Sequence, residues 1–216
     1  MMEQISTLLT MIKSKDHRWN VIFTICLLPL LGLLIDIIFN NLGSNPIQAL
    51  HIRLGDWSLR FLGITLAVTP AQTIMHWRGM AEYRKLFGLY SFFYATLHIL
   101  TYIIVDNNFM WGMIWTDILE SPYIWFGVIA YVIVFLLGIT TPNAIKKMLG
   151  KNWKKLHRFI YLAGIVGVIH YFWQLKGNLA EPLLYTLILF FLLGFRALVE
   201  FTRRRLSNMM MPKRME

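Results

Sequence analysis

A chain of 216 residues that is 57% hydrophobic and only 15% charged, with a mean hydropathy of +0.55, has too little charge to cover a soluble domain of its size. It reads as an all-α integral membrane protein. The net charge of +10 would suit nucleic acid, but the basic residues sit between apolar runs, where they face one side of a bilayer. A single cysteine, Cys26, excludes an intrachain disulfide and a cysteine-ligated metal or iron–sulfur site.

A span of hydrocarbon about 30 Å thick takes roughly 20 apolar residues, and six such runs follow in order. Residues 1–20 form a charged cytoplasmic segment ending near Arg18. It does not read as a cleaved signal, because the apolar run after it, Val21–Phe39, is long and lacks a small-residue cleavage site. That run is the first span, and it contains Pro29 and Asp36. Asn45-Pro46 then looks like a helix start, and Ile47, Leu50 and Leu54 predict a short interfacial helix. The second span, Trp57–Ile74, carries Arg60 and Pro70. The third, Leu86–Val105, has no charge. Trp111 and Trp115 in the next connection suit the headgroup region. Ser121-Pro122 offers a cap and a first-turn proline to the fourth span, Tyr123–Thr141. The fifth is Phe159–Leu175. The sixth runs from Pro182 to about Phe201, with Arg196 and Glu200 in its last turns, where they are expected to snorkel. The membrane domain is thus 21–201, followed by a basic tail, 202–216. The sequence shows no internal repeat and no soluble domain.

Most of the 21 Lys and Arg lie on one set of connections: Lys13 to Arg18, Arg78 to Lys85, Lys146 to Arg158, and Arg203 to Arg214. Arg53, Arg60 and Lys176 fall on the other side. This bias places both termini in the cytoplasm.

The six histidines carry the chemistry. His17 and His76 fall in cytoplasmic segments and His51 in an outer loop, where solvated or interfacial side chains are expected. His98 and His170 are different. Imidazole is costly inside lipid and marks a functional site. His98 lies 12 residues into its span and His170 11 residues into its own, so on helices running the same way both are roughly 17 Å deep at about 1.5 Å per residue. Two imidazoles at matched depth are placed to ligate one haem iron from both faces, nearer the outer surface, an arrangement suited to electron transfer. The alternative for each is a hydrogen bond to a neighbouring helix. Gly88, Gly164 and Gly167 would let a macrocycle approach, and Phe92, Phe93, Tyr94, Tyr102, Tyr171 and Trp173 would pack on it, although such residues also serve ordinary helix packing. His157 lies at the cytoplasmic start of the fifth span. A continuous helix turns it well away from the face of His170, so it is a candidate ligand for a second haem, a contact for a flavin or quinone, or a structural residue.

Four stretches resemble the MsrQ (YedZ) family within the wider ferric-reductase-like membrane domains: Gly55–Pro70 (GDWSLRFLGITLAVTP), Arg84–Tyr102 (RKLFGLYSFFYATLHILTY), Thr140–Trp173 with LGKNWKKLHRFIYL and IHYFW, and Glu181–Tyr185 (EPLLY). The resemblance covers nearly the whole chain. It implies a non-catalytic electron-transfer subunit in a bacterial inner membrane, with haem b and with FMN, whose partner is a periplasmic molybdenum methionine-sulfoxide reductase of the MsrP kind. The family's histidines map onto His98, His157 and His170. Only eleven residues follow Arg205, so the expected donor is a quinol or a separate cytoplasmic flavin reductase. Arg53 and Arg60 would face haem propionates, a partner or lipid headgroups. The rival readings are a stand-alone ferric reductase and, in another class, a transporter or assembly factor with proton-handling histidines. Against the latter, the spans lack paired carboxylates at mid-depth.

Overall fold

The computed structural model describes residues 2–76, 78–174 and 179–210, and among them every regular element is helical. The helices are α1 (Met2–Ile38), α2 (Pro46–Met75), α3 (Ala81–Leu100), α4 (Trp111–Glu120), α5 (Pro122–Ile139), α6 (Asn143–Leu149), α7 (Lys151–His157), α8 (Ile160–Gln174) and α9 (Ala180–Met210). A 3₁₀ turn, Arg78–Met80, precedes α3, and a π-helical turn, Thr101–Asp106, extends it. Among the described residues, five segments are long and apolar enough to cross a membrane: His17–Ile38, Ala81–Asp106, Pro122–Ile139, Lys151–Gln174 and Ala180–Arg203.

The helix starts follow from local chemistry. Asn45 caps α2 by accepting the Gln48 N–H at 3.1 Å, and Pro46 takes the first turn, where its missing donor is not needed. Pro122 likewise starts α5, but Ser121 makes no side-chain cap bond. The short interfacial helix expected around Ile47–Leu54 is not separate. It is the first part of α2, which runs on from Asn45 to Met75 through a buried Pro70. The segment between α7 and α8 is tightened at Arg158 and Phe159, whose N–H groups reach back only three residues, to Lys155 and Leu156. Leu175 and Lys176, and Lys213 and Arg214 in the tail, lie outside the described residues.

Pairwise contacts fix the directions. His98 meets His51, Ser91 exchanges hydroxyl-to-carbonyl bonds with Ser58, and Arg84 bonds Gln72, so α2 and α3 run antiparallel. His170 meets Tyr123 and His157 meets Thr140, so α5 and the α7–α8 segment are antiparallel too. Tyr171 donates to Glu181 while Arg196 donates to Tyr161, which sets α9 against α8. The long rods therefore alternate: α1, α3 and α8 one way, α2, α5 and α9 the other.

The buried core lies between α1, α2 and α3 and includes Leu33, Leu54, Phe61, Tyr90 and Tyr94. Two tyrosines of α3 hold α1. Tyr90 donates to the Phe23 carbonyl at 2.7 Å. Tyr94 donates to the Cys26 carbonyl at 2.9 Å and accepts the Leu30 N–H at 3.2 Å, bridging the turn that contains Pro29. Backbone groups near a proline need such a partner in lipid. Arg196 does not snorkel. Its guanidinium is half-buried and bonds the Tyr161 hydroxyl, the Thr69 hydroxyl at 2.6 Å and the Leu66 carbonyl at 3.1 Å, joining α9 to α8 and α2.

Candidate functional site

The C-terminal ends of α3 and α8 bring His98 and His170 together. Their ring centroids are 6.3 Å apart and their planes 78° apart. Each ring is held by a carbonyl of its antiparallel neighbour. His98 Nδ1 lies 3.0 Å from the His51 carbonyl, and His170 Nδ1 lies 2.7 Å from the Tyr123 carbonyl. A carbonyl only accepts, so both Nδ1 atoms carry the proton and both Nε2 atoms keep their lone pairs. A backbone bond to the far ring nitrogen is the usual support of a metal-binding imidazole.

These residues fit the haem that the resemblance implies. Two metal–imidazole bonds of about 2 Å each, plus the half-widths of two five-membered rings, separate ring centres by about 6 Å. Close approach depends on glycine, though not on the glycines expected. A Cβ on Gly127 would lie 2.8 Å from His170 Cε1, and one on Gly55 3.4 Å from His98 Cε1. Gly88, Gly164 and Gly167 instead face Thr65, Leu189 and Leu59 on neighbouring helices.

The expected aromatic box is dispersed. Phe92 packs against Gly138 and Phe135, and Phe93 and Tyr94 belong to the α1 contact. Tyr102 donates to Asp117, Tyr171 donates to Glu181, and Trp173 packs at a tilt against Phe126. Arg60 donates to Tyr185 at 2.8 Å and lies 3.6 Å from Asp56, while Arg53 pairs with Asp36. Both expected outer arginines are thus engaged within the chain.

His51 departs most from expectation. It is not a solvated loop residue: its side chain is 12% exposed, and its ring sits edge-on to His98 at 5.5 Å. Its Nε2 is 3.7 Å from Asp106 and makes no hydrogen bond. The sequence signal was there in the Asn45-Pro46 start, which puts His51 on a helix rather than in a loop. His157 lies at the opposite end of the α5–α8 pair. Its Nε2 is 3.1 Å from the Thr140 hydroxyl, and its ring stacks on Trp153 at 4.0 Å.

The family model described as ferric reductase like transmembrane component matches residues 54–168. The chain is 40% identical over 201 residues to the protein-methionine-sulfoxide reductase heme-binding subunit MsrQ of Rhodospirillum rubrum, spanning 92% of this chain and 96% of that one. It is 40% identical over 193 residues to the MsrQ of Polaromonas naphthalenivorans, with 87% and 88% covered. Identity to the MsrQ of Xanthomonas oryzae pv. oryzae is 39% over 164 residues, with 76% and 75% covered.

Proposed function

We propose a function from one premise: the chain belongs to the MsrQ family of ferric-reductase-like membrane proteins. It acts as the membrane electron-transfer subunit of a methionine-sulfoxide reductase system. One b-type haem sits between His98 and His170. Electrons come from a quinol or a cytoplasmic flavin reductase and leave to a periplasmic molybdopterin reductase of the MsrP kind, which repairs oxidised envelope proteins. FMN enters this reading through the family alone. The domain is residues 21–201, set in a bacterial inner membrane with both termini cytoplasmic. α2 is the sixth crossing. Its 30 residues reach about 45 Å, and the alternating directions of the long rods support it.

The observation that carries the reading is the His98–His170 pair with both Nδ1 protons given to backbone carbonyls. Haem, when bound, would supply a one-electron relay, and His98 and His170 would hold it. The chain's part is to orient the two Nε2 lone pairs and to surround them with apolar helices. Dithionite-reduced visible spectra and haem content of the purified protein test this. His98→Ala and His170→Ala are each expected to lose the haem; full retention in either variant overturns the pairing. Faster reoxidation by a ferric chelate than by a periplasmic reductase would favour a stand-alone ferric reductase instead.

A further inference from the structure

The two histidines are held by one device used twice. Each donates Nδ1–H to a carbonyl 47 residues earlier, His51 for His98 and Tyr123 for His170. One helical turn after each carbonyl stands a glycine, Gly55 in α2 and Gly127 in α5. A helical carbonyl points toward the residue four later, so a side chain there flanks it. Without that side chain, the second lone pair of the carbonyl is open to a ring nitrogen from the next helix. The tolerances differ. A Cβ at Gly127 would meet His170 Cε1 at 2.8 Å and Nδ1 at 2.9 Å, which the ring cannot accept in place. At Gly55 the same atoms of His98 lie at 3.4 and 3.5 Å, close to ordinary contact.

We infer that Gly127, and more weakly Gly55, are positioning residues that fix the planes of the two axial imidazoles near perpendicular, at the 78° seen between the rings. The inference rests on the reading of His98 and His170 as axial ligands. Each plane is set by an in-plane hydrogen bond to a rigid carbonyl and by the glycine surface beside it. In oxidised low-spin iron the angle between two imidazole planes governs the splitting of the iron orbitals that overlap the rings. Parallel planes separate those orbitals and give a rhombic three-line resonance spectrum. Perpendicular planes leave them nearly equal in energy and give a single, strongly anisotropic low-field line.

Low-temperature electron paramagnetic resonance of the oxidised, haem-loaded full chain reads this directly. The unchanged protein is expected to show the single low-field line. Gly127→Ala is expected to lose that line, replaced by a rhombic spectrum or by the high-spin signal of a lost ligand. Gly55→Ala keeps the line with a smaller shift, and Gly112→Ala, where an added Cβ meets nothing within 4 Å, leaves it unmoved. A rhombic spectrum from the unchanged protein overturns the inference. So does a Gly127→Ala spectrum superimposable on it, or a larger change from Gly55→Ala than from Gly127→Ala. Should Gly127→Ala fail to fold, the line shape of the unchanged protein decides alone. Absence of haem would sink the ligand reading itself, whereas haem with a parallel-plane spectrum sinks only the plane assignment.

Discussion

Replacing Tyr94 with Phe removes one hydroxyl from a side chain with no exposed surface. The ring stays, and with it the packing on Phe61 and Phe93. What is lost is the bridge across Pro29: the bond to the Cys26 carbonyl at 2.9 Å and the bond from the Leu30 N–H at 3.2 Å. In membrane helices such a bond is worth about 0.6 kcal/mol on average and about 1.7 at most. Two of them set the loss at about 1–3 kcal/mol, with the upper end applying if the Cys26 carbonyl finds no new partner. Tyr90→Phe gives up only the bond to the Phe23 carbonyl and is expected to cost about half as much. Thermal unfolding in detergent, followed by tryptophan fluorescence, compares the two. A chain of this size loses roughly 2–4 °C per kcal/mol, so Tyr94→Phe lowers the midpoint by roughly 2–12 °C and Tyr90→Phe by less. An unmoved midpoint for Tyr94→Phe, or a larger drop for Tyr90→Phe, would refute the claim that this hydroxyl secures α1 at its proline.

Arg196→Lys keeps the charge but loses the fork that reaches Tyr161, Thr69 and Leu66 together. It is expected to cost about 2 kcal/mol in the same assay, since bonds to charged groups are worth about 1.5–3 kcal/mol each; an unchanged midpoint would show that α9 is anchored elsewhere. His157→Gln is expected to leave the haem-to-protein ratio where it is in the unchanged chain, measured by pyridine haemochrome against protein concentration, and a loss of one haem would make His157 a ligand.

The histidine pair was legible because imidazole has few reasons to sit in an apolar helix, and because counting from the basic flanks gives depth. Depth is a one-dimensional quantity, and sequence supplies it well. Rotation about the helix axis is not, and the misreadings share that cause. Arg196 looks like a snorkelling residue by its place near a span end, yet it turns inward onto Tyr161 and Thr69. Tyr94 looks like a haem neighbour by its place near His98, yet it faces α1. His51 was hidden differently: the polar stretch Asn40–Asn45 suggests a loop, and only the cap at Asn45 shows that a long helix has already begun. The supports of His98 and His170 were beyond reach of any letter, because backbone carbonyls have no residue identity. Gly127 gave no signal within an apolar run, where glycine is common.

The paired architecture also says why one end of the bundle differs from the other. Two antiparallel pairs, α2 with α3 and α5 with the α7–α8 segment, are each closed by polar contacts at both ends. At one end the contacts are His51 with His98 and Tyr123 with His170, and there the two donor rings converge on each other. At the other end they are Gln72 with Arg84 and Thr140 with His157. A guanidinium supplies no lone pair to a metal, so of these two contacts only that between Thr140 and His157 contains an imidazole. That imidazole is already committed, its Nε2 to a hydroxyl and its face to Trp153, beside which Lys146 also packs. Opposite His157 on α3 stand Arg84 and Lys85. The same scaffold thus brings two imidazoles together where both hairpins contribute histidine, and joins an imidazole to a hydroxyl where only one does.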